Sequence, residues 1–192
     1  YRADLLLEDA LPPAPHLPIT GGVATPWDGP DMATLYARWL SHAPRFQTPT
    51  QYTAFGPQGW QVWLDPTRPG DFVPVPPQGG QARAPEAAWD VDPGLFDELL
   101  QTIWIWTRRI QNASALPLSF AHARRYAATG TGPLFGPLFA EARMQSAADD
   151  PDTLTDIRLY DAQGHLIWDV AGIRGHASAH LNRLAGGWQG GE

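Results

Sequence analysis

The stretch from Asp92 to Asn112, DPGLFDELLQTIWIWTRRIQN, constrains this chain more than any other. Asp92 can cap the first free amides of a helix, Pro93 suits the first helical position, and Arg108 and Arg109 meet the negative end of the helix dipole. Leu95, Leu99, Ile103, Trp106 and Ile110 recur at steps of three and four, and Phe96, Leu100 and Ile105 widen the apolar surface well beyond one stripe. Such a helix needs to be wrapped. Within its apolar surface Asp97 and Gln101 stand one turn apart, and Trp104 and Arg108 continue their face.

The flanking sequence supplies the wrapping. Upstream, Ala10 to His16 is too rich in proline to continue a strand begun in Tyr1 to Leu7, and a linker runs on to about Gly29. Asp31 caps a short helix predicted over Met32 to Leu40. Tyr52 to Phe55 and Trp60 to Leu64 flank the turn sequence GPQG, which predicts a hairpin, and Phe72, Val73 and Val75 predict an edge strand. Gln78 to Glu86 is polar and reads as a loop. After the helix, strands are expected over Leu116 to Ala127, Leu138 to Gln145, Thr155 to Tyr160 and His165 to Val170, the last two joined through DAQG with glycine at the left-handed position. A hairpin, one long apolar helix and three or four antiparallel strands, with no alternation of strand and helix, define an α+β layout in which a curved sheet encloses the helix.

Composition narrows the function classes. The 192 residues are long enough to bury a core, and no apolar run approaches the length of a membrane span. A net charge of −7 disfavours a nucleic acid partner, because phosphate binding needs a basic face. With no cysteine there are no disulfides, thiol nucleophiles or cysteine metal sites, which fits a reducing, cytoplasmic setting. The strand-like start at Tyr1 gives the expectation of a piece cut from a longer chain.

At this point a family resemblance enters. Asp92 to Gln101 (DPGLFDELLQ) resembles the second-hotdog motif of polyketide synthase dehydratase domains, which is a histidine-proline, two or three apolar residues, an aspartate, and glutamine or histidine four positions on. Ile157 to Gly172 is similar to that family's closing hairpin, and Leu116 to Ser119 to its strand after the helix. Tyr36 to Gln47 (YARWLSHAPRFQ) resembles the glycine-proline segment bearing a phenylalanine, most closely in the branch of polyunsaturated fatty acid and enediyne synthases, as does Ser178 to Leu184. The resemblance implies a hotdog fold, one long central helix wrapped by a curved antiparallel sheet. It implies residues 1–30 as the tail and linker of a preceding hotdog, and 31–192 as the C-terminal hotdog.

The activity it implies is loss of water from a 3-hydroxyacyl thioester carried on the phosphopantetheine arm of an acyl carrier protein, with no cofactor held by this chain. Partners implied are that carrier domain, the N-terminal hotdog of the same polypeptide and a homodimeric copy. Asp97 is the expected general acid, keeping its proton in a water-poor tunnel, and Gln101 its orienting neighbour. Pro44, Phe46 and Trp104 are the expected substrate-binding residues. The base is expected upstream of Tyr1, in a pattern of histidine, three residues, glycine, four residues and proline.

Three residues depart from the family pattern: Asp92 for histidine, Ala43 for glycine, and Glu98 for a small residue, which helical geometry sets about 100° from Asp97 and need not bring into the pocket. Hence two other readings stand beside the dehydratase: a catalytically silent hotdog that scaffolds or dimerises a megasynthase, and a thioesterase or product-shaping hotdog. Apart from the resemblance, Asp97 reads as a solvated acid complementing the helix dipole rather than as a catalytic one. His16 to Pro26 imitates the histidine pattern with one residue too many and within a proline-rich linker. His42, in the Ala-Pro segment, either faces the mouth of the expected tunnel or, in the preferred reading, is a packing or surface residue. His176 and His180 have the spacing of helical metal ligands but no glutamate between them, and TGTGPLFG, without a lysine, reads as a turn. Arg108, Arg109, Arg124 and Arg125 could together attract an acidic carrier protein.

Overall fold

The computed structural model describes residues 10–17, 25–42, 44–68, 92–127 and 136–184. The order is β1 (Thr25–Pro26), α1 (Met32–Arg38), β2 (Pro49–Gly56), β3 (Gly59–Leu64), α2 (Pro93–Gln111), β4 (Ser114–Ser119), β5 (His122–Arg125), β6 (Leu138–Met144), β7 (Asp152–Tyr160) and β8 (Leu166–Ser178). A 3-10 turn at Pro44–Phe46 follows α1, and another at Ala179–Leu184 follows β8. One antiparallel sheet runs β1-β2-β3-β6-β7-β8-β4, with β5 also paired to β8.

The long helix begins and ends where its sequence directs. Asp92 Oδ1 accepts from the Leu95 amide at 3.0 Å, Pro93 opens the first turn, and Asn112 closes the helix in the left-handed region at φ 51°. Gln101 through Thr107 are all buried, and over two turns of helix that requires cover on every side. The cover is the inner face of the sheet: Trp60, Val62, Ala142, Ile157 and Leu159 share one core cluster with Leu99, Ile105 and Trp106. Trp106 and Trp60 are wholly buried, and the Trp106 indole donates to the Gly56 carbonyl at 2.9 Å, joining helix to hairpin.

Several sequence expectations change in detail. The strand expected over Leu116 to Ala127 is two, β4 and β5, which follow one another along the same edge of β8. The break lies opposite Gly172, whose φ of 65° inserts a bulge, and a Cβ there would stand 2.7 Å from that of Ala121. β8 runs eight residues past Val170, to Ser178, because it has partners on both edges, β7 and the β4–β5 line. His176 therefore lies on a strand and His180 in a 3-10 turn, so their spacing is not helical; His176 Nδ1 is 2.7 Å from Asp152 Oδ1. The presumed linker is partly tied down, since Thr25–Pro26 pairs with β2, and Pro13 and His16 bridge to Ala127 and His165. The GPQG and DAQG hairpins form as expected, with Gly164 at φ 83°. The strands expected at Tyr1 to Leu7 and around Phe72 to Val75, the polar Gln78 to Glu86, and Ala43 lie outside the described residues, as does most of TGTGPLFG.

Candidate functional site

The second and third turns of α2 face the segment joining α1 to β2, and hydrogen bonds fix the two together. Gln101 Nε2 donates to Asp97 Oδ2 at 2.8 Å and to the Phe46 carbonyl at 3.0 Å. A backbone carbonyl can only accept, so the amide orientation is set: nitrogen toward Asp97 and Phe46, oxygen toward the Tyr36 hydroxyl 3.0 Å away. The helical spacing of four places the Asp97–Gln101 contact, as the sequence predicts. Pro44 and Phe46 lie in the 3-10 turn held by that bond. Trp104 is buried one turn further along the same helix face.

Burial divides the two adjacent acids in the reverse of the expected way. The Asp97 side chain is 38% exposed, whereas Glu98 is 0% exposed. Glu98 turns into the interior, where its Oε1 accepts from the Thr48 amide at 2.6 Å and lies 3.1 Å from the Tyr36 hydroxyl. Burial raises its pKa to about 10, over the opposing pull of those two bonds, with Asp97 and Asp92 adding to the rise. Of the two, Glu98 is the acid in a water-poor setting, and that setting favours its protonated form. Asp97 stands at the margin of the wrapped region, where one helical step decides between core and solvent. Burial also raises the Tyr36 hydroxyl pKa, with the Glu98 carboxyl adding to it.

His42 is the residue the sequence reading undervalued. Its Nε2 lies 3.8 Å from Asp97 Oδ2, and its ring meets Trp104 edge-on with centroids 6.0 Å apart. Burial lowers its pKa, against the pull of Asp97, so the imidazole is neutral at neutral pH. Nothing in a single sequence marks this contact, because the pair is separated by 55 positions and formed only by the turn at Pro44. Asp92, at the family's histidine position, is committed to structure: beyond capping α2 it accepts from the Thr67 amide at 2.7 Å and from the Thr67 hydroxyl. The other singled-out residues lie elsewhere in the hydrogen-bonding pattern. His16 packs edge-on against His165, Arg109 pairs with Asp28 at 2.6 Å and stacks over Trp27, and Arg108 lies over Trp39. Arg124 and Arg125 sit on β5.

A long helix enclosed by one antiparallel sheet, with a part-exposed aspartate held by a buried glutamine one turn on, defines a hotdog domain of the dehydratase type. The family described as polyketide synthase dehydratase N-terminal domain matches residues 73–184, more than half of the chain. The chain belongs to the polyketide synthase dehydratase family. No curated protein matches it. Among solved structures it is similar to a GphF dehydratase variant made for improved crystallization, at 19% identity and a TM-score of 0.56, over 90% of this chain and 55% of that one. It is similar to the dehydratase domain from the CurJ module of curacin polyketide synthase, at 17% identity and a TM-score of 0.52, over 77% of this chain and 47% of that one. A third is the dehydratase domain of PpsC from Mycobacterium tuberculosis in complex with C12:1-CoA, at 19% identity and a TM-score of 0.54, over 84% of this chain and 56% of that one. These similarities establish the hotdog fold. The chain spans about half the length of the solved structures it matches.

Proposed function

We propose that this chain is the second, aspartate-bearing hotdog of a dehydratase domain that eliminates water from 3-hydroxyacyl thioesters. The observation that carries the reading is the 2.8 Å bond from Gln101 to Asp97 on the half-exposed shoulder of α2, beside the Pro44–Phe46 turn. The bond engages Oδ2, which leaves Oδ1 as the oxygen turned away from Gln101 and available to a substrate. In the reaction a base takes the proton on the carbon next to the thioester carbonyl. The electron pair forms the carbon–carbon double bond as the β-carbon–oxygen bond breaks, and Asp97 gives its proton to the departing oxygen, which leaves as water. Without that proton the leaving group would be hydroxide. Trp104, Phe46 and Pro44 provide the apolar wall for the acyl chain, and the His42 imidazole stands beside the Asp97 carboxyl.

On this reading the base is a histidine of the preceding hotdog, to which residues 1–30 lead, the substrate arrives on the phosphopantetheine arm of an acyl carrier protein, and the setting is a cytoplasmic, homodimeric megasynthase. The chain's similarity to about half of each dehydratase structure supports this division. Asp97→Asn in the intact double-hotdog protein is expected to lower dehydration of a 3-hydroxyacyl thioester at least a hundredfold while leaving the circular dichroism spectrum unchanged. Near-normal turnover by that variant would refute the general-acid role and leave the scaffolding reading in its place.

A further inference from the structure

The buried oxygens around Tyr36 do not balance unless one more hydrogen is present. Tyr36 has a single hydroxyl proton, yet its oxygen lies 3.1 Å from Glu98 Oε1 and 3.0 Å from Gln101 Oε1. Gln101 Oε1 can only accept, because its amide nitrogen is fixed on Phe46 and Asp97. Were Glu98 a carboxylate, it too could only accept, and one of the two contacts would set oxygen against oxygen with no hydrogen between, inside the protein. A buried contact of that kind is strongly unfavourable. A proton on Glu98 Oε1 resolves it, since a carboxylic hydroxyl donates to Tyr36 while still accepting from the Thr48 amide. Tyr36 is then free to donate to Gln101.

We propose that Glu98 is an uncharged positioning residue heading a one-way chain of donors, Glu98 to Tyr36 to Gln101 to Asp97, that fixes which oxygen of Asp97 meets the substrate. Every link points the same way. Glu98 gives its proton to Tyr36, Tyr36 gives its own to the Gln101 carbonyl, and the Gln101 amide then has both hydrogens for acceptors, Phe46 and Asp97 Oδ2. Removing the first hydrogen lets the Tyr36 hydroxyl turn to Glu98 and releases the Gln101 carbonyl, and the amide loses the contact that holds it flat against Asp97. Burial of Glu98, which raises its pKa to about 10, favours the same protonated form. Glu98 Oε2, buried with no partner among the described residues, is tolerable as the carbonyl oxygen of an acid and far costlier as half of a carboxylate. The groups bearing charge or a titratable proton that face Glu98 are Tyr36, Tyr52, Asp97 and Asp92, and none is cationic. The inference deepens the proposed function, on which its catalytic half rests.

The test has two parts. In the 192-residue chain, labelled with carbon-13 at glutamate and aspartate carboxyls, one glutamate signal is expected to stay at the protonated position from pH 5 to 8 and to vanish in Glu98→Gln. The Asp97 carboxyl signal is expected to move in Tyr36→Phe, a variant that leaves the charge of the region unchanged. In the double-hotdog protein, Tyr36→Phe and Glu98→Ala are expected to lower kcat about tenfold with KM unchanged, and Glu98→Gln, which stays neutral, to keep more activity than Glu98→Ala. If every glutamate titrates in the ordinary carboxylate range, the donor chain is overturned whatever Asp97 does. An unmoved Asp97 signal in Tyr36→Phe overturns the positioning role. Full activity of Asp97→Asn, with the protonated glutamate signal intact, ends the general-acid reading alone.

Discussion

A single helical step, from residue 97 to 98, separates a part-exposed acid from an acid in the core. The consequence for stability follows from the direction of the Glu98 shift. Its carboxyl ordinarily titrates near 4.5 and in the folded chain near 10. Between those values the folded state holds the extra proton, so stability is fully present below about 4.5 and is lost as pH rises. The expected slope is roughly 1 kcal/mol per pH unit. His42 acts in the opposite sense but only below its ordinary value of 6.5, since its folded pKa is lowered. Urea denaturation from pH 7 to 9 therefore isolates Glu98: stability should fall with pH in the native chain, and the slope should disappear in Glu98→Gln. Asp92 provides a second residue-scale prediction. Asp92→Ala removes the α2 cap and strips the Thr67 amide of its acceptor, and a loss of roughly 2–3 kcal/mol in urea is expected. Of these residues the sequence announces the Asp92 cap and the Asp97–Gln101 spacing. It is silent on Glu98, because a charged residue inside an apolar helix reads as surface until the sheet is seen to close over it.

At the scale of elements, α2 and β8 are the two longest members: the sheet encloses α2, and β8 pairs with β7 on one edge and with β4 and β5 on the other. The ends of α2 are written locally, in Asp92, Pro93 and Asn112, which is why its boundaries are legible without a fold. β8 is not written locally. Gly172 and Gly175 read as strand breakers, yet the strand continues through both because β7 lies on one edge and β4 and β5 on the other. Gly175 admits Thr153 and Leu116 closely, since a Cβ would fall 2.8 Å from Thr153 Oγ1. Gly172→Ala places a side chain at positive φ and against Ala121, and a cost of about 1–3 kcal/mol is expected by thermal or urea unfolding. A change within measurement error would show that the β4–β5 break is soft.

For the whole molecule, β4 ends the strand order and carries Leu116 and Leu118 at the surface, with Phe120 exposed just past its end, Leu118 being 63% exposed. An apolar edge strand of this kind is a template for pairing. The chain by itself is expected to show concentration-dependent self-association in sedimentation, and Leu118→Lys to shift it toward monomer without lowering its stability. Unchanged association in that variant would move the contact elsewhere. No helix among the described residues is long and apolar enough to cross a membrane. Of the basic residues the sequence groups together, Arg109 pairs with Asp28 and lies over Trp27, and Arg108 lies over Trp39.

The sequence by itself determined the central helix, its caps, the two hairpins and the pairing of Asp97 with Gln101, since each is encoded by residues within a turn or two of one another. Only the tertiary structure decided which acid is buried, that His42 reaches Asp97, and that Tyr36 and Thr48 close around Glu98. Those contacts join residues 50 or more positions apart, and their energies depend on how much water the folded sheet leaves beside each group.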